Sequence, residues 1–391
     1  MNNKILKIVY ISKDNSKDMR SWSGLTYFIS DSLRLHGAEL IFIDNILINN
    51  YLFIKIIDKI YSILIKIFSG KIYQNNRTIR LSKKYANIIN KKIPMDADAI
   101  LIPSGTIQMA FLNTDKKKIL YNDATFASMI NFYPAFTNLC KKTIYEGNLI
   151  DKKAFENSDI LIFSSDWAAN SAINDYNINP SKVKVIPFGA NILKSYSDKE
   201  ISDIIENRCN NINTKCNFLF IGVDWERKGG NIALDIINLL HSKNINLHFD
   251  IVGIKNLSLE LPYYVTNHGF LNKSIEEEKN KIDNLYINAN FLLFPTRFEC
   301  SAIVFSEASS FGLPAITTKT GGTETIIKDN LNGMTFNLNA NIDEYVNYIL
   351  KTIENKDNYK KLCQSSYNEY ITRLNWNVSG KKIIDSIEQL F

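Results

Sequence analysis

The chain is short of the residues that would take it outside the ordinary globular proteins. Its 391 residues include only 16 glycines and 8 prolines, too few for a collagen-like fibre or a low-complexity scaffold. With 45% hydrophobic and 22% charged residues, it is not a disordered chain. The five cysteines (Cys140, Cys209, Cys216, Cys300, Cys363) are odd in number, with no CxxC pair and no repeated spacing. That excludes a disulfide framework and reads as free thiols in a reducing compartment. None of the four histidines, His36, His241, His248 and His268, has metal-ligand spacing. A long uninterrupted apolar run is also missing. The most apolar stretch, residues 46–68, is broken by Lys55, Asp58, Lys59 and Lys66, whereas a bilayer-spanning helix needs about 20 nearly unbroken apolar residues. This segment suits the surface of a membrane and not its interior. Residues 1–10 have an apolar run interrupted by Lys7 and no small-residue cleavage site, and read as a first strand, not a signal peptide.

What is present is uneven. Lys+Arg 46 against Asp+Glu 40 gives +6 overall. Residues 1–190 hold 25 basic and 16 acidic side chains, or +9, which leaves −3 for the rest. Ten of those basic residues fall in 51–92 against one acid, Asp58, so this segment carries the whole surplus. A patch so local is no nucleic-acid coat. It reads either as a solvated helix face or as a basic face that meets phosphate head groups or an acidic acceptor.

The length suits two large domains. Strand candidates at 6–11, 39–43, 99–102, 118–121, 160–163 and 183–186 alternate with helical segments such as 24–35, 77–91 and 135–155. After a polar stretch at 195–216 the series restarts with strands at 218–221, 247–252, 291–294 and 315–317. Fully apolar strands alternating with helices indicate parallel α/β sheets covered on both faces. The chain therefore divides into a first α/β domain at 1–191 and a second at 192–373, with a last helix near 374–391 crossing back to the first. Ligands of such sheets bind beyond the carboxyl ends of the strands, which directs attention to the loops there.

Three loops stand out. Ser21-Trp-Ser-Gly-Leu-Thr opens a helix at Gly24, where a missing Cβ lets backbone amides approach an anion. The segment 218–230 ends a buried strand at Gly222 and delivers Arg227 and Lys228 just before Gly229-Gly230 and a new helix. Two cations at the positive end of a helix ask for an anion, and a diphosphate meets that need; a solvated basic turn is the plainer alternative. In the third, a strand reaches Phe294, a loop carries Glu299 and a helix carries Glu307. Eight residues on one helix would turn about 800° and set the two carboxylates about 80° apart, so one loop carboxylate and one helix carboxylate facing a shared pocket is the better account. The amides of Cys300–Ile303 begin that helix and are placed to hold phosphate oxygens. Asp96-Ala97-Asp98 spells DxD but precedes its strand, and reads as an ordinary turn.

The E-x7-E pair Glu299 and Glu307, followed by Ala308, Gly312-Leu-Pro314 and Gly321-Gly-x-Glu324, resembles the family 4 retaining glycosyltransferases of the GT-B fold. Lys228-Gly229, Pro187-Phe-Gly189 and Asn332-Gly333 fit the same pattern. The resemblance implies two Rossmann-like domains facing a central cleft, and transfer of a sugar from a nucleotide diphosphate sugar to a hydroxyl with retained configuration. It implies that Glu307 holds the ribose and that Glu299 sits at the sugar, beside the amides of Ser301, Ala302 and Ile303. Lys228 would bind the diphosphate, Gly24 would approach it from the first domain, and Phe270 and Leu271 would contact the base. Front-face attack, in which the departing phosphate takes the acceptor proton, needs no protein nucleophile.

The chain departs from the pattern at three places. Val223 stands where an arginine is usual, and Arg227 takes its part. Cys300-Ser-Ala302 replaces Gly-Phe-Gly. Asn122-Asp123 replaces His-Asp, which leaves Asp123 or Asn122 to take the histidine's role at the acceptor or sugar. The resemblance further implies a glycan or lipid-linked acceptor held by the domain that contains residues 51–92, in bacterial cell-surface polysaccharide synthesis. The histidine spacing and the DxD turn fit an enzyme with no metal and no cofactor, the local charge gives no nucleic-acid partner, and the basic, apolar segment 51–92 suits a cytoplasmic protein peripheral at the inner face of the plasma membrane. A catalytically inactive GT-B partner subunit and a GT-B nucleotide-sugar epimerase are the alternatives.

Overall fold

The computed structural model describes residues 5–19, 21–46 and 51–391, the side chains of 51–55 excepted. The first-strand reading of residues 1–4 and the part of the apolar stretch at 47–50 lie outside the described residues, as does the side chain of Lys55. The chain forms two compact units, Met1–Ile186 with Ser379–Phe391, and Pro187–Val378.

In the first unit, β1 (Lys7–Ile11), β2 (Glu39–Ile43), β3 (Ala99–Pro103), β4 (Lys117–Asn122), β5 (Ile160–Phe163) and β6 (Val183–Val185) make one parallel sheet in the order β2-β1-β3-β4-β5-β6. Strands β3 and β5 are buried end to end, as apolar runs without alternation require. The order reverses between β1 and β3, which makes the loops after these two strands the natural ligand side.

The second unit repeats the plan with β7 (Cys216–Ile221), β8 (Leu247–Val252), β9 (Val265–Asn267), β10 (Phe291–Phe294), β11 (Ala315–Thr318) and β12 (Gly333–Phe336), all parallel, ordered β12-β11-β10-β7-β8-β9. Here the reversal falls between β7 and β10, paired through Phe218 with Phe291 and Leu219 with Leu292. Stacked aromatics fill the core beneath, with Phe218 on Phe291 at 5.7 Å and Phe220 beside Phe294 at 5.5 Å. The strands β9 and β12 have no counterpart among the sequence-predicted strands. They are edge strands of three and four residues with polar members, Val-Thr-Asn and Gly-Met-Thr-Phe, too short to show as apolar runs.

The basic segment contains α1 (Tyr51–Ser69), whose outer face is apolar. Ile56, Ile57, Ile60, Ile63, Leu64, Ile67 and Phe68 are exposed, Phe68 by 83%. At about 100° per residue these form a stripe about 140° wide, with Lys59 and Lys66 together along one edge. Asp58 falls opposite the stripe, buried, and accepts from Arg80 Nη2 at 2.7 Å. The one acid of the segment is therefore turned inward and neutralised. Among the described residues no helix is long and apolar enough to cross a membrane.

Candidate functional site

The loop after β7 is fixed by two close approaches. Gly229 (φ +76°) caps the helix Gly230–Ser242, and a Cβ there would lie 1.9 Å from the Pro295 carbonyl oxygen. At Gly230 a Cβ would enter the Trp225 ring, 2.1 Å from its nearest atom. Trp225 is anchored in turn through Nε1 to Asn231 Oδ1 at 2.7 Å. Between these contacts the chain has one path, and it sends Arg227 and Lys228 toward the end of β10.

There they meet Glu299. Lys228 Nζ donates to Glu299 Oε2, and Arg227 Nη1 stands 4.0 Å from the same oxygen. Arg227 also pairs with Asp224 (Nε to Oδ2, 3.2 Å) and donates from Nη1 to the Phe298 carbonyl at 3.3 Å. The Lys228 ammonium lies 5.0 Å from the centre of the Phe294 ring, within cation–π range. Glu299, 71 positions along the chain, is thus the carboxylate that lies beside both cations.

The second carboxylate is held separately. The helix Ile303–Ser310 carries Glu307 with 1% of its surface exposed. Glu307 accepts from Lys273 Nζ on Oε1 and from the Tyr286 hydroxyl on Oε2 at 2.9 Å. Burial, and then the Glu307 charge, push the Tyr286 hydroxyl well above its ordinary 10, so it stays a donor. Glu307, Lys273 and Tyr286 line a narrow pocket with Asn191 and Asp283, while Arg227 and Phe270 line a wider one with Asp224 and Lys255. The two glutamates do sit one on a loop and one on a helix, as the spacing argued. Each acid has its own lysine partner, Lys228 for Glu299 and Lys273 for Glu307. Lys273 and Tyr286 were missed in the sequence, because nothing local marks a lysine 34 positions from its acid.

The remaining donor-side residues divide. Phe270 is half exposed with Lys255 Nζ 5.3 Å from its ring centre, whereas Leu271 packs on the core. The helix begins at Ile303 with Ala302 as its cap, so Ser301 and Ala302 precede it, contrary to a helix beginning at Cys300. The Ser301 hydroxyl is buried without a hydrogen-bond partner. Gly322 N donates to the Glu299 carbonyl at 3.1 Å, which ties the Gly321-Gly turn to this loop.

In the first unit, Trp22, Ser23 and Gly24 all have positive φ (45°, 56° and 84°), a strained turn that leads into the helix Leu25–Leu35. Asp123 and Asn122, at the end of β4, line a pocket with Arg77, Thr106 and Phe126. Arg77 is fixed there by Asp151, by Thr106 Oγ1 at 2.9 Å and by the Phe126 ring at 4.9 Å. The DxD aspartates both serve β1: Asp96 pairs with Lys7 Nζ at 2.7 Å and Asp98 accepts from Lys7 N at 2.9 Å. Among the described residues no three metal-ligating side chains cluster, and all five cysteines are buried thiols outside any disulfide.

Residues 203–369 match the family described as glycosyl transferases group 1. This domain and the paired parallel sheets together support a glycosyltransferase of GT-B fold. An uncharacterised glycosyltransferase of Methanocaldococcus jannaschii is 24% identical over 261 residues, 66% of this chain and 67% of that protein. The UDP-Gal:alpha-D-GlcNAc-diphosphoundecaprenol alpha-1,3-galactosyltransferase of Escherichia coli is 24% identical over 188 residues, 47% of this chain and 48% of that enzyme. The match thus spans between about half and two thirds of these relatives. Among solved structures, Anabaena HepE in complex with UDP and glucose shares the fold, with a TM-score of 0.62 at 14% identity over 98% of this chain and 100% of that one.

Proposed function

We propose that this protein is a retaining glycosyltransferase of family 4 that moves a sugar from a nucleoside diphosphate sugar to a hydroxyl of a glycan or lipid-linked acceptor, in the synthesis of a bacterial cell-surface polysaccharide. The observation that carries the reading is the cluster at the switch point of the second sheet: Arg227 and Lys228 gathered on Glu299 after β7 and β10, with Glu307 buried on the helix that follows. The diphosphate displaces the Glu299 carboxylate from Lys228 and Arg227, and these cations stabilise it as it leaves. Freed from Lys228, Glu299 is left to the sugar, and Glu307 takes the ribose hydroxyls. Charge compensation by the chain's own cations makes a metal unnecessary. Phe270 stacks on the base, and Asp123 in the first unit orients the acceptor hydroxyl.

The UDP-bound neighbour and the diphosphoundecaprenol-linked substrate named for the Escherichia coli relative support the donor and acceptor classes. The exposed apolar stripe of α1, with Lys59 and Lys66 along one edge, supports a peripheral position on the anionic inner face of the plasma membrane. UDP and UDP-glucose are the first probes. Calorimetry on Lys228→Ala and Glu307→Ala should show each weakening UDP by about tenfold to a hundredfold, the worth of a charge-assisted hydrogen bond. Unchanged affinity in both variants, with the fold intact, would overturn the reading.

A further inference from the structure

Glu307 is closed off as the chain stands. Its surface is 1% exposed, and both carboxylate oxygens have donors. The two donors differ in freedom. Tyr286 is wholly buried, with its ring stacked on Phe311 at 5.2 Å and 8°, and cannot leave without opening the core. The Lys273 side chain is 39% exposed and reaches Glu307 from the loop after β9. That loop is held by its backbone and not by Lys273: Asn272 N donates to the Glu278 carboxylate, Ser274 N to Asn272 Oδ1 at 3.0 Å, and Ile275 N to the Asn272 carbonyl at 2.9 Å. The lysine is free to swing while its loop stays in place. The other ammonium in this pocket, Lys279, is engaged with Asp283 at 2.8 Å and does not replace it on Glu307.

We propose that Lys273 is a latch on the donor site: its ammonium covers Glu307 in the unliganded protein, and a ribose diol gains the carboxylate only by displacing it. The role assigned to Glu307 rests on the function proposed above; the latch itself rests on burial and on the unequal freedom of the two donors. The exchange is chemically balanced. One charge-assisted hydrogen bond from Nζ is given up, hydroxyl hydrogen bonds to the same oxygen replace it, and the ammonium returns to water at the pocket mouth. Tyr286 stays on Oε2 throughout and holds the carboxylate plane for the incoming diol. Phe270, three positions before Lys273 on the same loop, engages the base, so base and ribose are read from one short segment.

The latch acts as a specificity-determining residue because it makes ribose binding conditional. A nucleoside must outcompete an ion pair before it gains anything from Glu307. The test uses uridine, which carries no phosphate and so reports on this exchange apart from Arg227 and Lys228. With the full chain at neutral pH, Lys273→Met should bind uridine about tenfold more tightly than the natural protein, since no charged hydrogen bond has to be broken. Lys273→Arg, which keeps the cation, should restore the weaker binding. Unchanged or weaker uridine binding by Lys273→Met, with an unaltered melting temperature, would overturn the latch. Should the loss of a partner for Glu307 unfold Lys273→Met, Lys273→Gln, which keeps a donor but no charge, carries the same expectation. Glu307→Ala separates the two readings. If it leaves uridine binding unchanged, the ribose role of Glu307 falls and the latch with it. If it weakens binding while Lys273→Met does nothing, only the latch falls.

Discussion

Single atoms decide the donor site at the residue scale. Gly229 takes a left-handed conformation hard against the Pro295 carbonyl, so a side chain there is both strained and blocked. Gly229→Ala should cost about 2–4 kcal/mol in urea unfolding, from the left-handed backbone together with overpacking. Gly269→Ala makes the control: its φ is +67° but no atom lies within 4 Å of the added Cβ, so only about 1–2 kcal/mol is expected. Equal losses at the two positions would remove the close approach as the reason Lys228 is aimed at Glu299. The site itself was partly legible. The spacing of Glu299 and Glu307 and the cations before Gly229 were visible in the sequence because each lies within one strand–loop–helix segment. Their partners were not, because an ion pair between positions 228 and 299 is made by two strand ends meeting at the switch point, and no local pattern records that meeting.

The scale of elements governs α1. A surface helix normally turns its apolar stripe to the core. This one turns its single acid inward to Arg80 and leaves seven large apolar side chains in solvent. Each apolar side chain removed from water is worth about 1.5–3 kcal/mol, and each lysine near an anionic surface about 1 kcal/mol. Ile63→Glu and Ile67→Glu should therefore each lower partitioning onto phosphatidylglycerol-containing vesicles by at least about tenfold. Lys59→Gln should lower it less, and only at low salt. Because these residues are exposed, the melting temperature should hold. Vesicle sedimentation that is equal for all variants, or equal on neutral phosphatidylcholine, would exclude a docking helix. The sequence showed this segment as basic and interrupted-apolar. Which side faces out depends on Asp58 finding Arg80 on the next helix, and that is a packing outcome.

At the scale of the whole molecule, two α/β units each carry a sheet with one reversal of strand order, and the donor chemistry proposed above falls in Pro187–Val378. UDP should accordingly protect backbone amides from hydrogen exchange in the loops after β7, β9 and β10, at 222–230, 268–275 and 295–303. Protection confined to the first unit would contradict that assignment. Ligand-linked stabilisation should reach about 2.7 kcal/mol at a hundredfold excess over the dissociation constant. By itself the sequence determined the alternation of buried strands and helices and the restart of the series in the second unit, because hydrophobic periodicity is a local property. It did not determine β9 and β12, which owe their strand geometry to neighbours and not to their own composition. Nor did it determine that Glu299 and Glu307 would each be claimed by a separate lysine. Those choices belong to the tertiary structure, since a buried carboxylate takes whichever cation the folded chain brings within reach, however many residues lie between them.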